Sequence, residues 1–352
     1  MEISLFDYFL PKELIAQFPL KNRAQSKLMV VIRKEQKIYH SWFRKFPQYL
    51  KKNDLLVVNN SKVIPAKLIG SINGSLITCL LVKEIKDGVW EILTKPARKV
   101  KIGSKIIFNN FLEGEIIDTK PWGKRIINFW EKNQEILKKI KKIGYAPLPP
   151  YIKRTLEERN YKEVDLKRYQ TVYAKKNGSI AAPTAGLHFT SEILREIKEK
   201  GIEILEITLH IGEATFQPIR VNEVEKHKME EEKYHISPAV AHKINQAKKD
   251  SRRIVAVGTT TVRTLESAYQ NGKIQSGFFP TNLFIYPGYN FKVVDALLTN
   301  FHLPKSTLLM LVSAFASWNN QINGVTLIKK AYQEAINNKY RFYSYGDCML
   351  IQ

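Results

Sequence analysis

The sequence predicts a mixed α/β (α+β) body that carries an inserted small β-barrel domain. Three observations lead there. Apolar strands and amphipathic helices alternate through the second half of the chain. From about Pro65 to about Phe129 the texture changes to short alternating strands separated by Gly, Asn and Lys turns, with helices on both sides. The 352 residues suffice for two domains, or for one large domain with an insertion. The expected division is a discontinuous body, residues 1–64 and 130–352, around a barrel of residues 65–129.

In chain order, Leu10–Gln17 reads as a short helix with proline in its first turn. Ser26–Ile32 and Asp54–Val58 read as strands, the second feeding a polar turn at Asn59–Val63. Five barrel strands are expected, at Thr78–Val82, Val89–Leu93, Lys105–Phe108, Gly114–Asp118 and Arg125–Phe129. A lysine-rich helix follows at Ile136–Ile143, then a proline-rich connector, Gly144–Ile152, that cannot be helical. Ile193, Leu194 and Ile197 form the stripe of a helix after Thr190 that ends at Gly201. In the strand Leu205–Ile211 the odd positions are apolar, which puts Glu206, Thr208 and His210 on the other face. Ser237-Pro238 opens another helix. Phe291–Leu298 is a strand, and Ser306 caps a helix, Thr307–Trp318, apolar nearly all round and too short to span a bilayer.

The stretch Arg253–Glu266 stands apart. Ile254–Val257 is a short buried strand, Gly258 permits a sharp turn, and Thr259, Thr260 and Thr261 offer helix N-caps. A strand that restarts as a helix presents free N–H groups and the positive end of a dipole. Arg263 in the first turn opposes that dipole, so either an anion is held nearby or Arg263 pairs with a core carboxylate such as Asp295 or Glu266.

Lysine and arginine number 56 against 33 acids, a formal charge of +23. A surplus of this size favours a polyanionic partner and salt-sensitive binding, although a Lys-, Ile- and Asn-rich composition also arises by drift. Two distant cysteines, Cys79 and Cys348, argue for a reducing compartment and against a disulfide framework or thiolate metal site. Acids near the N-terminus do not suit a signal peptide, so a cytoplasmic protein without membrane contact is expected.

Glycine-rich dinucleotide and nucleotide loops, H-E-x-x-H and G-x-S-x-G are all missing, against nicotinamide enzymes, NTPases, zincins and serine hydrolases. What remains are polar clusters at strand ends: Thr184 and His188, Thr208 and His210, Gly258 to Arg263, Asp295, Asn300 and His302, and Asp347. Each has a bland reading. The histidines stand beside Phe and Leu as core groups do, Asp295 suits a buried ion pair, and Asp347 suits a turn. Together, without metal-ligand spacing, they describe a polar pocket.

Five blocks then resemble one family: Ile180-Ala181-Ala182-Pro183-Thr184-Ala185-Gly186-Leu187-His188-Phe189-Thr190, Gly258–Glu266, Phe284–Tyr289, Leu298–Thr307 and Tyr343-Ser344-Tyr345-Gly346-Asp347. The family is the S-adenosylmethionine:tRNA ribosyltransferase-isomerases of queuosine biosynthesis, and the resemblance runs from Leu10 to Asp347. It implies an α/β body with an inserted barrel. It also implies transfer and rearrangement of the ribosyl part of S-adenosylmethionine onto 7-aminomethyl-7-deazaguanine at the tRNA wobble position, giving epoxyqueuosine while adenine and methionine leave. The implied partners are S-adenosylmethionine, a substrate rather than a cofactor, and the tRNA anticodon stem-loop; no metal or cofactor is implied, and a monomer is expected. Three positions depart from the family pattern: Asn60 followed by Ser61 for an Asp-Thr pair, Glu230 for a histidine, and Ala214 for a glycine.

Such a reaction needs a base for the carbon beside the sulfonium, a donor for departing adenine, a holder for the methionine carboxylate and a positive surface for RNA. Asp295, His188, His302 and Asp347 are the candidate proton handlers. Arg263, Thr259, Thr260, Thr261, Thr184, His210 and Asn300 are the candidates for binding S-adenosylmethionine or a tRNA anion. Two other classes stay open. An RNA methyltransferase would release S-adenosylhomocysteine, and a catalytically inert RNA-binding module would release no adenine.

Overall fold

The computed structural model describes the chain except residues 155–160, 213–218, 220 and 319–321, and the side chain of Trp122. Ala214 therefore lies outside the described residues. The first strands are β1 (Lys27–Ile32), β2 (Lys37–Trp42), β3 (Leu55–Asn59) and β4 (Ser61–Val63). The barrel comprises β5 (Lys67–Ile72), β6 (Ser75–Lys86), β7 (Val89–Lys95), β8 (Lys105–Phe108), β9 (Leu112–Thr119) and β10 (Lys124–Asn128). Helices α1 (Asn133–Ile143) and α2 (Lys162–Arg168), strand β11 (Lys176–Ser179), α3 (Ser191–Glu199), β12 (Glu203–Leu209), β13 (Glu232–Ile236) and α4 (Pro238–Lys249) come next. The last part holds β14 (Ile254–Val257), α5 (Thr259–Ala268), the small hairpin β15 (Tyr269–Gln270) and β16 (Lys273–Ile274), β17 (Gly277–Thr281), β18 (Ala296–Asn300), α6 (Thr307–Ala316), α7 (Gly324–Asn337) and β19 (Cys348–Ile351).

Nine strands form the body sheet in the order β17-β13-β12-β3-β14-β18-β19-β1-β2. β12, β3, β14 and β18 run parallel; β13 and β17 continue one side antiparallel, and on the other β19 is antiparallel to β18, β1 parallel to β19 and β2 antiparallel to β1. Because side chains alternate along a strand, a sheet covered on both faces needs apolar residues at every position. β3 supplies them: Leu55 and Val57 enter the core under α4 to α7, and Leu56 and Val58 enter the core shared with α3, Phe43 and Phe46. β1, β14, β18 and β19 divide in the same way.

The six barrel strands close in the order β10-β7-β6-β5-β8-β9. β5 was not among the five expected strands, since Gly70 and Ser71 interrupt its apolar pattern. The helix α1 turns Ile136 and Ile140 into the barrel's own core, so this helix beyond residue 129 packs as part of the barrel. Where a polar turn was expected at Asn59–Val63, β4 instead pairs in parallel with β11. Residues 291–295 are not strand either. The N–H groups of Lys292, Val293 and Val294 all donate to the buried Glu266 carboxylate, which leaves none for a neighbouring strand. The segment Lys12–Leu14 is a single 3₁₀ turn rather than the expected helix. Ser306, Ser237 and Thr190 cap α6, α4 and α3 with their side chains, as their positions predict.

Candidate functional site

A cleft opens at the carboxyl ends of the parallel strands, the usual location for a site in an open α/β sheet. Three segments bring the polar groups: Thr184 at the start of the 3₁₀ turn Thr184–His188, Gly258 to Thr260 after β14, and Thr299 to His302 at the end of β18. Gly258 has φ +88° and ψ 151°, a conformation that side chains disfavour, and it lets β14 pass directly into α5. No side chain caps α5; the threonines lie inside its first turn rather than before it. The N–H groups of Thr259 and Thr260 have no partner among the described residues, so this wall offers donors. Asn59 braces it, donating to Thr260 Oγ1 at 3.3 Å and to the Leu209 carbonyl at 3.0 Å.

Across the cleft, Thr184 Oγ1 donates to Asn300 Oδ1 at 2.7 Å, and Asn300 Nδ2 lies 3.2 Å from His188 Nε2. His188 stands one bond behind the wall. Burial, with Arg23 and Arg341 nearby, lowers its pKa to about 3. His302 lines the cleft itself, with Nε2 2.8 Å from Thr299 Oγ1, and burial likewise lowers it to about 3. Both imidazoles are neutral at physiological pH, which suits hydrogen bonding rather than charge. Tyr151 and Tyr343 add an aromatic wall, their ring centroids 4.7 Å apart, with Tyr151 Oη 2.7 Å from Ser344 Oγ. Sequence reasoning named none of these three as a site candidate: Tyr151 lies in an extended connector, and the C-terminal block Tyr343–Asp347, one of the family-like blocks, supplied only Asp347.

Of the sequence candidates, the fold gathers Thr184, Thr259, Thr260, Asn300 and His302 at the cleft, with His188 behind them. It takes the others elsewhere. Arg263 is buried in an ion pair between its Nη1 and Glu232 Oε2, and Nε donates to the Leu283 carbonyl at 3.0 Å. Helical geometry turns it toward β13, and its partner is neither Asp295 nor Glu266. Thr261 is fully buried and donates to the Val257 carbonyl at 2.7 Å. Asp295 lies at the amino end of β18, the opposite end from Asn300. There it accepts from the Ile254 N–H at 2.7 Å, in a second cleft with Arg33, Lys248 and Arg253. Asp347 accepts from the backbone N–H groups of Lys27 (2.8 Å) and Arg341 (2.7 Å), a brace that joins β1 to β19. His210 lies against Gly178, where an added Cβ would sit 3.0 Å from the ring, and burial lowers its pKa. Asn60, at a departure from the family pattern, is bonded to Thr208 (2.7 Å) and Glu206 (3.1 Å), and Glu230 is exposed beside Lys124 of the barrel. No group of three His, Cys, Asp or Glu among the described residues could hold a metal ion.

The chain matches the family of queuosine biosynthesis proteins over residues 3–351. It is 50% identical to the S-adenosylmethionine:tRNA ribosyltransferase-isomerase of Natranaerobius thermophilus and 49% identical to that of Halothermothrix orenii, each over 100% of both chains. The protein of that name from Thermotoga maritima is 47% identical, again over 100% of both. A crystal structure of S-adenosylmethionine tRNA ribosyltransferase from Thermotoga maritima aligns with 99% of this chain and 100% of its own, at a TM-score of 0.56 and 37% identity.

Proposed function

The chain belongs to the queuosine biosynthesis protein family, and from that premise we propose that it is an S-adenosylmethionine:tRNA ribosyltransferase-isomerase. It moves the ribosyl part of S-adenosylmethionine onto 7-aminomethyl-7-deazaguanine at the tRNA wobble position and rearranges it to the epoxycyclopentane of epoxyqueuosine, releasing adenine and methionine. The observation that carries this reading is full-length identity of about half the residues to relatives of that name. The cleft at the strand ends suits the task. Its donor wall at the start of α5 holds an anion, the methionine carboxylate or a phosphate of the wobble nucleotide. Tyr151 and Tyr343 offer a face on which a nucleobase stacks. His302, kept neutral, hydrogen-bonds the reacting sugar or the leaving base rather than pairing with charge.

The lysine-rich surface receives the anticodon stem-loop, and the enzyme acts as a cytoplasmic monomer without metal or resident cofactor. No helix among the described residues is long and apolar enough to cross a membrane. The test is mass spectrometry of tRNA bearing the aminomethyl base after incubation with enzyme and S-adenosylmethionine. A mass gain matching the epoxycyclopentane, with adenine and methionine released in equal amounts, is expected. S-adenosylhomocysteine would instead reveal methyl transfer, and unmodified RNA that stays bound would reveal an inert binding module.

A further inference from the structure

Behind the cleft wall one hydrogen-bonded line runs inward. Thr184 Oγ1 meets Asn300 Oδ1 at 2.7 Å, Asn300 Nδ2 meets His188 Nε2 at 3.2 Å, His188 Nδ1 meets Ser26 Oγ at 2.8 Å, and Ser26 Oγ meets the Arg23 carbonyl at 3.2 Å. The direction of each bond follows from the groups that can only accept. Two backbone carbonyls, those of Tyr343 and Asp347, lie 3.4 Å from the Asn300 amide nitrogen. They fix the NH₂ end on the inner side and leave Oδ1 facing Thr184. His188 Nε2, which faces that NH₂, must therefore accept and carries no proton. The buried ring is neutral, so its single proton is on Nδ1 and donates to Ser26. The hydrogen of Ser26 then goes to the Arg23 carbonyl. At the other end Asn300 Oδ1 accepts, so the hydroxyl hydrogen of Thr184 is committed to it. Only a lone pair of Thr184 is left for the cleft.

We infer that Thr184 Oγ1 is a dedicated acceptor that receives an N–H or O–H donor of the bound substrate, and that His188 is the positioning residue that holds the line in this polarity. An anion is unwelcome at that spot, contrary to the expectation that Thr184 helps bind one; the donors for an anion lie across the cleft at Thr259 and Thr260. The inference rests on the reaction proposed above, which supplies two sources of donor. One is the nucleoside of S-adenosylmethionine, through its ribose hydroxyls or adenine amino group. The other is the aminomethyl group of the tRNA base.

Thr184→Val keeps the shape and removes the acceptor, whereas Thr184→Ser keeps it. Thr184→Val is expected to lower kcat/KM by about three- to tenfold, the worth of one neutral hydrogen bond, and Thr184→Ser to retain most of the activity. The variants are then compared on 2′-deoxy, 3′-deoxy and N6,N6-dimethyl analogues of S-adenosylmethionine, and by affinity for tRNA carrying the aminomethyl or a cyano base. With the analogue that lacks the recognised donor, Thr184→Val causes no further loss, and that analogue names the source. His188→Gln, whose side-chain oxygen accepts from Asn300, preserves this discrimination, and His188→Leu abolishes it in protein that remains folded. A Thr184→Val enzyme as active as wild type, or one impaired equally with every S-adenosylmethionine analogue and weakened equally for the aminomethyl and cyano tRNAs, overturns the inference. Discrimination left intact in His188→Leu removes His188 from it. Wild-type protein that releases no adenine at all refutes the reaction instead, so the two failures are distinguishable.

Discussion

At the scale of single residues, Arg263 is a deeply buried charge of the body. Both it and Glu232 are nearly inaccessible, with side-chain exposures of 6% and 6%. Removing one partner strands the other in a medium that cannot solvate it, at a cost of about 3–5 kcal/mol. Arg263→Ala should therefore lower the urea midpoint sharply, while any protein that stays folded binds S-adenosylmethionine normally. Lost affinity at unchanged stability would restore Arg263 to the site. The buried imidazoles give a second expectation. Burial lowers His188 and His302 from 6.5 to about 3, so between those values the unfolded chain binds protons that the folded one refuses. Stability then falls with acidification below about pH 6.5, by about 1.4 kcal/mol per pH unit for each ring, and is unaffected by them above it. Glu266, Asp295 and Asp347, whose carboxyls burial raises, act with the opposite sign. The clean measurement is therefore a difference: His302→Gln should lose less stability than wild type between about pH 7 and pH 5. Equal losses would mean that His302 titrates as an ordinary imidazole.

At the scale of elements, the turn from β14 into α5 decides where the donor wall stands. Gly258 occupies backbone space that is nearly glycine-only, while its nearest neighbours, Ala185 and Thr260, lie 3.7 Å from where a Cβ would be. Gly258→Ala therefore meets backbone strain rather than a clash, about 1–3 kcal/mol. It should weaken S-adenosylmethionine binding through a shifted α5 start; calorimetry that finds full affinity would separate the turn from the site. This turn was legible because Ile254–Val257, Gly258 and the threonines are adjacent in sequence. The caps at Ser237 and Ser306 were legible for the same reason. What could not be read were choices made by partners far along the chain. Glu266 draws the amides of 292–294 out of the sheet, Glu232 takes Arg263, and the start of β18 carries Asp295 to the far end of the strand from Asn300. Half of the candidate site followed from residue type, but which end of a strand a side chain occupies needed the pairing itself.

At the scale of the whole molecule, the barrel is tied to the body where the two ends of the insertion pair. Lys67 and Tyr145 exchange backbone hydrogen bonds of 3.2 and 2.8 Å, and a Cβ added to Gly144 would sit 2.1 Å from the Pro65 carbonyl. The two ends of the insertion thus meet, with α1 on the barrel side. Excising residues 66–143 should leave a foldable body with poor turnover on tRNA, whereas excising only 65–129 exposes Ile136 and Ile140 and should aggregate. Equal solubility of the two would detach α1 from the barrel. The +23 charge predicts that tRNA affinity falls steeply between low and physiological salt; a flat titration would make the lysines passengers. The placing of β19 bears on the order in which the chain is made. It lies inside the sheet, between β18 and β1, yet it is synthesised after every other strand of that sheet. Until Cys348–Ile351 are made, β1 and β2 have no strand partner in the rest of the sheet, and the growing chain depends on protection from aggregation until that strand is in place.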